Sequence, residues 1–96
     1  PAQATFDFET QEGFEASARA IILGWAHRIY GKRFHIRLHR RGMADKISSS
    51  TEEKVLDTAV LEHLAEKGHP GRISFDDPDC VIDVETVENR AGLSLW

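Results

Sequence analysis

The sequence predicts an α/β (α+β) domain, a mixed β-sheet with two helices packed on one of its faces. Three observations carry that expectation. Residues 32–42 read K-R-F-H-I-R-L-H-R-R-G, with Phe34, Ile36 and Leu38 alternating with Arg33, His35, Arg37 and His39. Strict alternation is the signature of a half-buried strand, because successive side chains point to opposite faces. Residues 12–30 and 51–64 instead carry apolar residues at spacings of three and four, the helical period. Residues 80–88 return to alternation, Ile82 and Val84 against Asp83 and Glu85.

In chain order, Thr5, Phe6 and Phe8 suggest a short edge strand. Phe14, Ala18, Ile21, Trp25 and Ile29, widened by Ile22 and Ala26, form the stripe of the first helix. Glu12 and Glu15 near its start and Arg28 near its end suit the helix dipole. Gly31 is the expected stop, and Gly24 marks either close packing or a break into two helices. After the basic strand comes a loop over residues 40–50. Ser49 with Glu52, and Ser50 with Glu53, have capping-box spacing and predict a second helix starting near Thr51. Its expected buried stripe is Val55, Leu56, Ala59, Val60 and Leu64, and Gly68 and Pro70 end it. A short run at 72–75 leads into Asp76-Asp77-Pro78-Asp79, a turn by composition. A strand, a turn at 89–92 and a final strand from Leu93 follow. The strand–helix–strand unit over 33–75 predicts parallel strands, and the later short turns favour antiparallel neighbours.

At 96 residues the chain is one domain, spanning 1–96, and 41% hydrophobic with 29% charged residues is an ordinary folded composition. It opens on Pro1 and stops on Trp96 within a strand-like run, as a piece of a longer chain would. No apolar run approaches the roughly 18 residues of a membrane span, so no membrane partner is expected. A lone cysteine, Cys80, excludes an internal disulfide and suits a reducing, cytoplasmic setting.

The formal net charge of −4 argues against a generic nucleic-acid binder, but its distribution argues otherwise. Residues 19–46 hold Arg19, Arg28, Lys32, Arg33, Arg37, Arg40, Arg41 and Lys46 against one acid, Asp45. At physiological salt the Debye length is about 8 Å, so a ligand at contact feels this block more than the total. Two fates are open to the basic strand. It binds a polyanion, or Arg33 and Arg37 pair internally with Asp83 or Glu85 across the sheet.

Other candidates for chemistry read as structure. His35 and His39 lie about 13 Å apart on a strand, too far to share a metal ion. His27, His63 and His69 lack partners at ligand spacing. Asp76, Asp77 and Asp79 offer oxygens for Mg²⁺ but read as an acidic turn. Ser48, Ser49 and Ser50 read as loop and helix cap, and Cys80 as a core thiol. No catalytic residue, metal, cofactor or small-molecule substrate is expected.

The run F-H-I-R-L-H-R-R-G, a helix, and then R-I-S-F-D-D-P-D-C-V-I-D-V-E-T-V-E-N-R-A-G-L-S resemble the THUMP domain over roughly residues 12–96. That family pattern is an apolar/basic strand ending in a basic pair and glycine, a helix, a strand running into an Asp-Pro-Asp turn, and a strand ending in Val-Glu. Arg40 and Arg41 match the basic pair, and Asp77, Pro78 and Asp79 the turn. The resemblance implies an RNA-binding module of tRNA-modifying enzymes, with tRNA as partner and a modifying enzyme doing the chemistry. The chain departs from the enzymes of that family in showing no Gly-rich cofactor loop, no P-loop and no catalytic domain, so it is not expected to be an enzyme itself. The expected RNA-binding residues are Arg28, Lys32, Arg33, His35, Arg37, His39, Arg40, Arg41 and Lys46. The alternative is a protein-interaction adaptor whose acidic C-terminal half docks a modification enzyme without touching RNA.

Overall fold

A computed structural model describes residues 2–41 and 48–96. The elements are β1 (Ala2–Asp7), α1 (Gln11–Gly24), β2 (Arg33–Arg41), α2 (Ser49–Glu66), β3 (Arg72–Ile73), β4 (Cys80–Val87) and β5 (Arg90–Leu95). They form the expected mixed sheet, in the order β1-β5-β4-β2-β3. β1 is an edge strand, as Thr5 and Phe6 indicated, and Phe8 lies just past it, buried.

Thr10 caps α1, its Oγ1 accepting from the Gly13 N–H at 3.0 Å. Phe14, Ala18 and Ile22 are its buried row. The single long helix expected over 12–30 is instead broken at Gly24, one of the two outcomes that residue allowed. Trp25 leaves helical geometry at φ −96°, ψ 0°, and a 3-10 turn over Ala26–Arg28 follows. The tighter turn still buries Ala26 and Ile29. The chain reverses at Gly31, whose φ of 69° favours glycine.

α2 begins earlier than the capping-box spacing suggested. Ser48 is its cap, with Oγ accepting from the Thr51 N–H at 3.4 Å. Glu52 and Glu53 are drawn away to tertiary partners, which is why neither completes a box. The buried row is Glu52, Leu56, Val60 and Leu64, spaced by four, while Val55 is 36% exposed. The predicted stripe was therefore one position too wide on the Val55 side, and it omitted a buried carboxyl.

β2 is flanked by parallel strands on both sides. It pairs with β3 through Arg33–Arg72 and Phe34–Ile73, and with β4 from Phe34–Cys80 to Arg41–Val87. β4–β5 and β5–β1 are antiparallel. The expectation of antiparallel neighbours thus holds for β4–β5 and fails for β3–β4, because the Asp-Pro-Asp turn carries the chain past the start of β2 instead of folding into a hairpin. Gly71 makes the close approach into β3 possible: a Cβ there would lie 2.8 Å from both Leu64 Cδ1 and the Lys32 carbonyl oxygen.

Phe34, Ile36 and Leu38 of β2, Ile82 and Val84 of β4, and Ala91, Leu93 and Leu95 of β5 share one face and are buried with the rows of α1 and α2. Phe6, Phe8 and Phe14 close one side, with ring centroids 5.3–6.3 Å apart. The opposite positions, among them Arg37, His39, Asp83, Glu85 and Ser94, line the sheet face that the helices leave open.

Candidate nucleic-acid interface

β2 divides the predicted basic residues into three groups. At about 3.3 Å per residue its ends lie roughly 26 Å apart. Arg28 and Lys32, on the turn that feeds the strand, are at one end with Arg33; His35, Arg37 and His39 are on the open face; Arg40 and Arg41 are at the other end.

The first end is held by the Asp-Pro-Asp turn. Arg33 Nη1 donates to Asp77 Oδ2 at 2.9 Å, and Arg33 Nη2 and Nε donate to Asp79 at 3.1 and 3.3 Å. Internal pairing of Arg33 was expected with Asp83 or Glu85, but the acidic turn takes it instead. The reason is geometry: Asp79 also accepts from the Arg33 backbone N–H at 3.0 Å, so the carboxylate already lies at the strand start. The Arg33 guanidinium holds the Asp79 carboxyl below its ordinary range, and Asp79 with Asp77 raises Arg33.

The open face is not the uniform cationic surface that β2 alone implies. Register sets Asp83 beside Arg37 and Glu85 beside His39. Arg37 Nε lies 3.3 Å from Asp83 Oδ1, the internal pair anticipated for this position. The contact is an ion pair without hydrogen-bond geometry, so this buried oxygen lacks a hydrogen-bond donor. His35 meets the ring of Phe75 edge-on at 4.7 Å, and Phe75 is 69% exposed.

Arg28, Lys32 and Arg41 are exposed and form no side-chain ion pair among the described residues. Arg40 is exposed too and makes an interaction within the domain. Lys46 lies outside the described residues. Three further side chains belong with this surface and were not among the expected ones. Arg72 is exposed on β3, directly beside Arg33. Phe75 and Trp96 are exposed aromatics, whereas Phe34, on the apolar face of β2, is buried. The signal for Trp96 was available: Ala91, Leu93 and Leu95 are the apolar phase of β5, so Trp96 falls in the polar phase.

Trp96 is firmly placed. Its N–H donates to the Val81 carbonyl at 2.8 Å, its carbonyl accepts from the Val81 N–H at 3.0 Å, and its indole Nε1–H donates to Ser94 Oγ at 2.9 Å. The ring borders a cleft of about 420 Å³ lined by Arg28, Lys32, Asp79, Cys80 and Leu95. Trp96 also borders a cleft of about 370 Å³ that includes Asp83, Glu85 and Ser94. Cys80 itself is a buried thiol whose Sγ lies 3.9 Å from the Arg28 carbonyl oxygen. Among the described residues no cluster of His, Cys, Asp and Glu is arranged to hold a metal ion, and no helix is long and apolar enough to cross a membrane. What this arrangement offers is anion binding at the strand ends beside exposed aromatic rings.

The sequence matches no protein-family model and no curated protein. Solved structures share the fold. TrmN from Thermus thermophilus superposes with a TM-score of 0.71 over 96% of this chain, at 15% identity. PH1313 from Pyrococcus horikoshii Ot3 does so with a TM-score of 0.66 over 98%, at 12% identity. The chain spans only 26% and 30% of their lengths, so most of each has no counterpart in these 96 residues. The fold is THUMP-like, as the resemblance in the sequence implied.

Proposed function

We propose that this THUMP-like domain binds RNA, specifically structured tRNA, and presents it to a tRNA-modifying activity carried elsewhere. One observation carries the reading: three of the cations that the fold leaves without ion pairs among the described residues stand at opposite ends of one strand, Arg28 and Lys32 at its start and Arg41 at its finish. A separation of roughly 26 Å suits an extended polyanion rather than a small ligand. The shared fold with TrmN and PH1313, together with the resemblance of the sequence to the THUMP domain, supports the choice of RNA. Phosphate contacts supply the affinity, and A-form RNA is read by shape and 2′-hydroxyls. The cytoplasm, where Cys80 stays reduced, is the compartment we assign.

Filter binding of total tRNA at two salt concentrations tests this. Affinity should fall steeply with salt, log K dropping about 0.7–0.9 per phosphate contact per decade. Absence of binding at low salt refutes the reading.

The carboxylates of β4 favour a second reading. Asp83 and Glu85 border an open cleft on the sheet face, where a basic protein surface can dock without RNA. Recovery of a modifying enzyme that survives nuclease treatment favours this adaptor role, and recovery that nuclease abolishes favours RNA.

A further inference from the structure

The structure assigns a specific task to Trp96: we infer that an unpaired nucleotide of the RNA stacks its base on the indole and places its phosphate between Arg28 and Lys32. The inference rests on the RNA-binding reading and adds a single-strand subsite to it.

Three features argue for it. Trp96 is 62% exposed, yet two backbone hydrogen bonds to Val81 hold its main chain and one side-chain bond to Ser94 holds its indole. An aromatic ring with its N–H satisfied and its face open is already organised for stacking, because little rotamer freedom remains to be lost. The cleft it borders, about 420 Å³, holds two cations. Its one acid, Asp79, is bonded to Arg33 and so opposes an incoming phosphate less. The second cleft that Trp96 borders contains Asp83 and Glu85 instead. Charge therefore sets the polarity of the nucleotide, with phosphate on the Arg28 and Lys32 side and never on the β4 side. A duplex cannot use this site, since its bases are stacked on one another, and only a looped-out or terminal nucleotide offers a free face.

The test follows the two indole N–H signals of the protein by NMR, with Trp96→Phe identifying the one from Trp96. The probes are an oligoadenylate hexamer and a blunt RNA duplex. The Trp96 signal should shift with the hexamer and stay in place with the duplex. Trp96→Leu should weaken hexamer binding about 5- to 150-fold, the usual effect of removing one stacking ring. Duplex affinity should stay within about twofold, and Trp96→Phe should keep most of the hexamer affinity. Arg28→Gln with Lys32→Gln should flatten the salt slope of hexamer binding. If tRNA binds with a steep salt slope while the Trp96 signal is silent and Trp96→Leu keeps full hexamer affinity, the subsite is overturned and the broader reading survives. If Trp96→Phe and Trp96→Leu lose hexamer and duplex binding alike, the residue only supports the strand and the subsite is likewise overturned. Failure of every RNA at low salt overturns both.

Discussion

Asp79 and Arg33 hold each other by backbone and side chain together. The Asp79 carboxylate accepts from the Arg33 backbone N–H and from its guanidinium, and the Asp79 N–H donates to the Arg33 carbonyl at 2.9 Å. This double hold fixes where β4 begins beside β2. It also removes the first arginine of the basic strand from the pool available to a ligand.

Asp79→Asn should therefore lower the melting temperature at neutral pH and leave RNA affinity unchanged or slightly raised, because Arg33 is released. The pH dependence has a definite sign. The folded-state pKa of Asp79 is depressed, so its contribution is present above the unfolded value of 3.8 and is lost as pH falls through the folded value. Melting curves of wild type and variant should converge in acid. A gap that persists there assigns the effect to something other than the ion pair.

Glu52 makes the opposite prediction. Its side chain is fully buried between α1 and α2, where Oε2 accepts from Gln11 Nε2 at 2.8 Å and Oε1 has no partner. Burial first, and the neighbouring Glu15 second, raise its pKa to about 7. Burial and the charge of Glu53 likewise raise Asp57 to about 6. For a raised acid the folded state binds more protons than the unfolded state between the two pKa values. Stability then falls as pH rises from the ordinary 4.5 towards about 7. Glu52→Gln keeps an acceptor for Gln11 and removes the charge. It should be more stable than wild type by about 1–3 kcal/mol above neutral pH and close to it near pH 4. Denaturant titrations at the two pH values decide the matter, and an advantage that does not grow with pH contradicts it.

The strand–helix alternation and the polarity of each sheet face were legible because they depend on local period alone. Phe34, Ile36 and Leu38 could only be a core row, and Arg37, His39, Asp83 and Glu85 only the opposite phase. Pair identity was half legible. Arg37 met Asp83 because cross-strand neighbours follow from register, whereas Arg33 met Asp77 and Asp79 because a turn crossed the end of the strand, which no period encodes. Glu52 was hidden for a related reason. A carboxyl in a helical stripe reads as a cap or a solvated face, and only the docking of α1 shows that it is enclosed.

Glu53 shows how the unprotected flank of β2 is covered. β3 pairs only with Arg33 and Phe34, and further along the Leu38 N–H donates to Glu53 Oε2 at 2.9 Å instead of to a strand. Glu53→Ala should cost about 1–3 kcal/mol, the usual penalty for leaving such a donor unmet. Glu53→Gln retains an oxygen acceptor and should cost less. Either change removes the charge facing Asp57 and should lower the pKa of that carboxyl. Amide hydrogen exchange at Leu38 reports the bond directly: it should accelerate in the alanine variant and stay slower in the glutamine one. Equal rates in wild type and the alanine variant would refute the assignment.

Arg41 and Arg37 separate free from committed charge on one strand. Arg41 stands beside Val87 rather than an acid and forms no side-chain ion pair among the described residues, whereas Arg37 stands beside Asp83. The planar fork of arginine suits phosphate oxygens. Arg41→Ala should flatten the salt dependence of tRNA binding by about one contact, some 0.7–0.9 in the slope. Stability should move by less than about 1 kcal/mol, as is usual for an exposed charge. Extending the change to Arg40, which already makes an interaction within the domain, should flatten the slope by less than a second full contact. Asp83→Asn is the converse. It should cost stability on the order of 0.2–1 kcal/mol, since the pair is half exposed, and leave RNA affinity equal or higher as Arg37 is released. Salt-series titrations of the variants against one tRNA preparation distinguish the two roles. If Arg41→Ala keeps the wild-type slope while Asp83→Asn abolishes binding, the contact surface lies on the β4 carboxylates and the strand-end assignment is wrong.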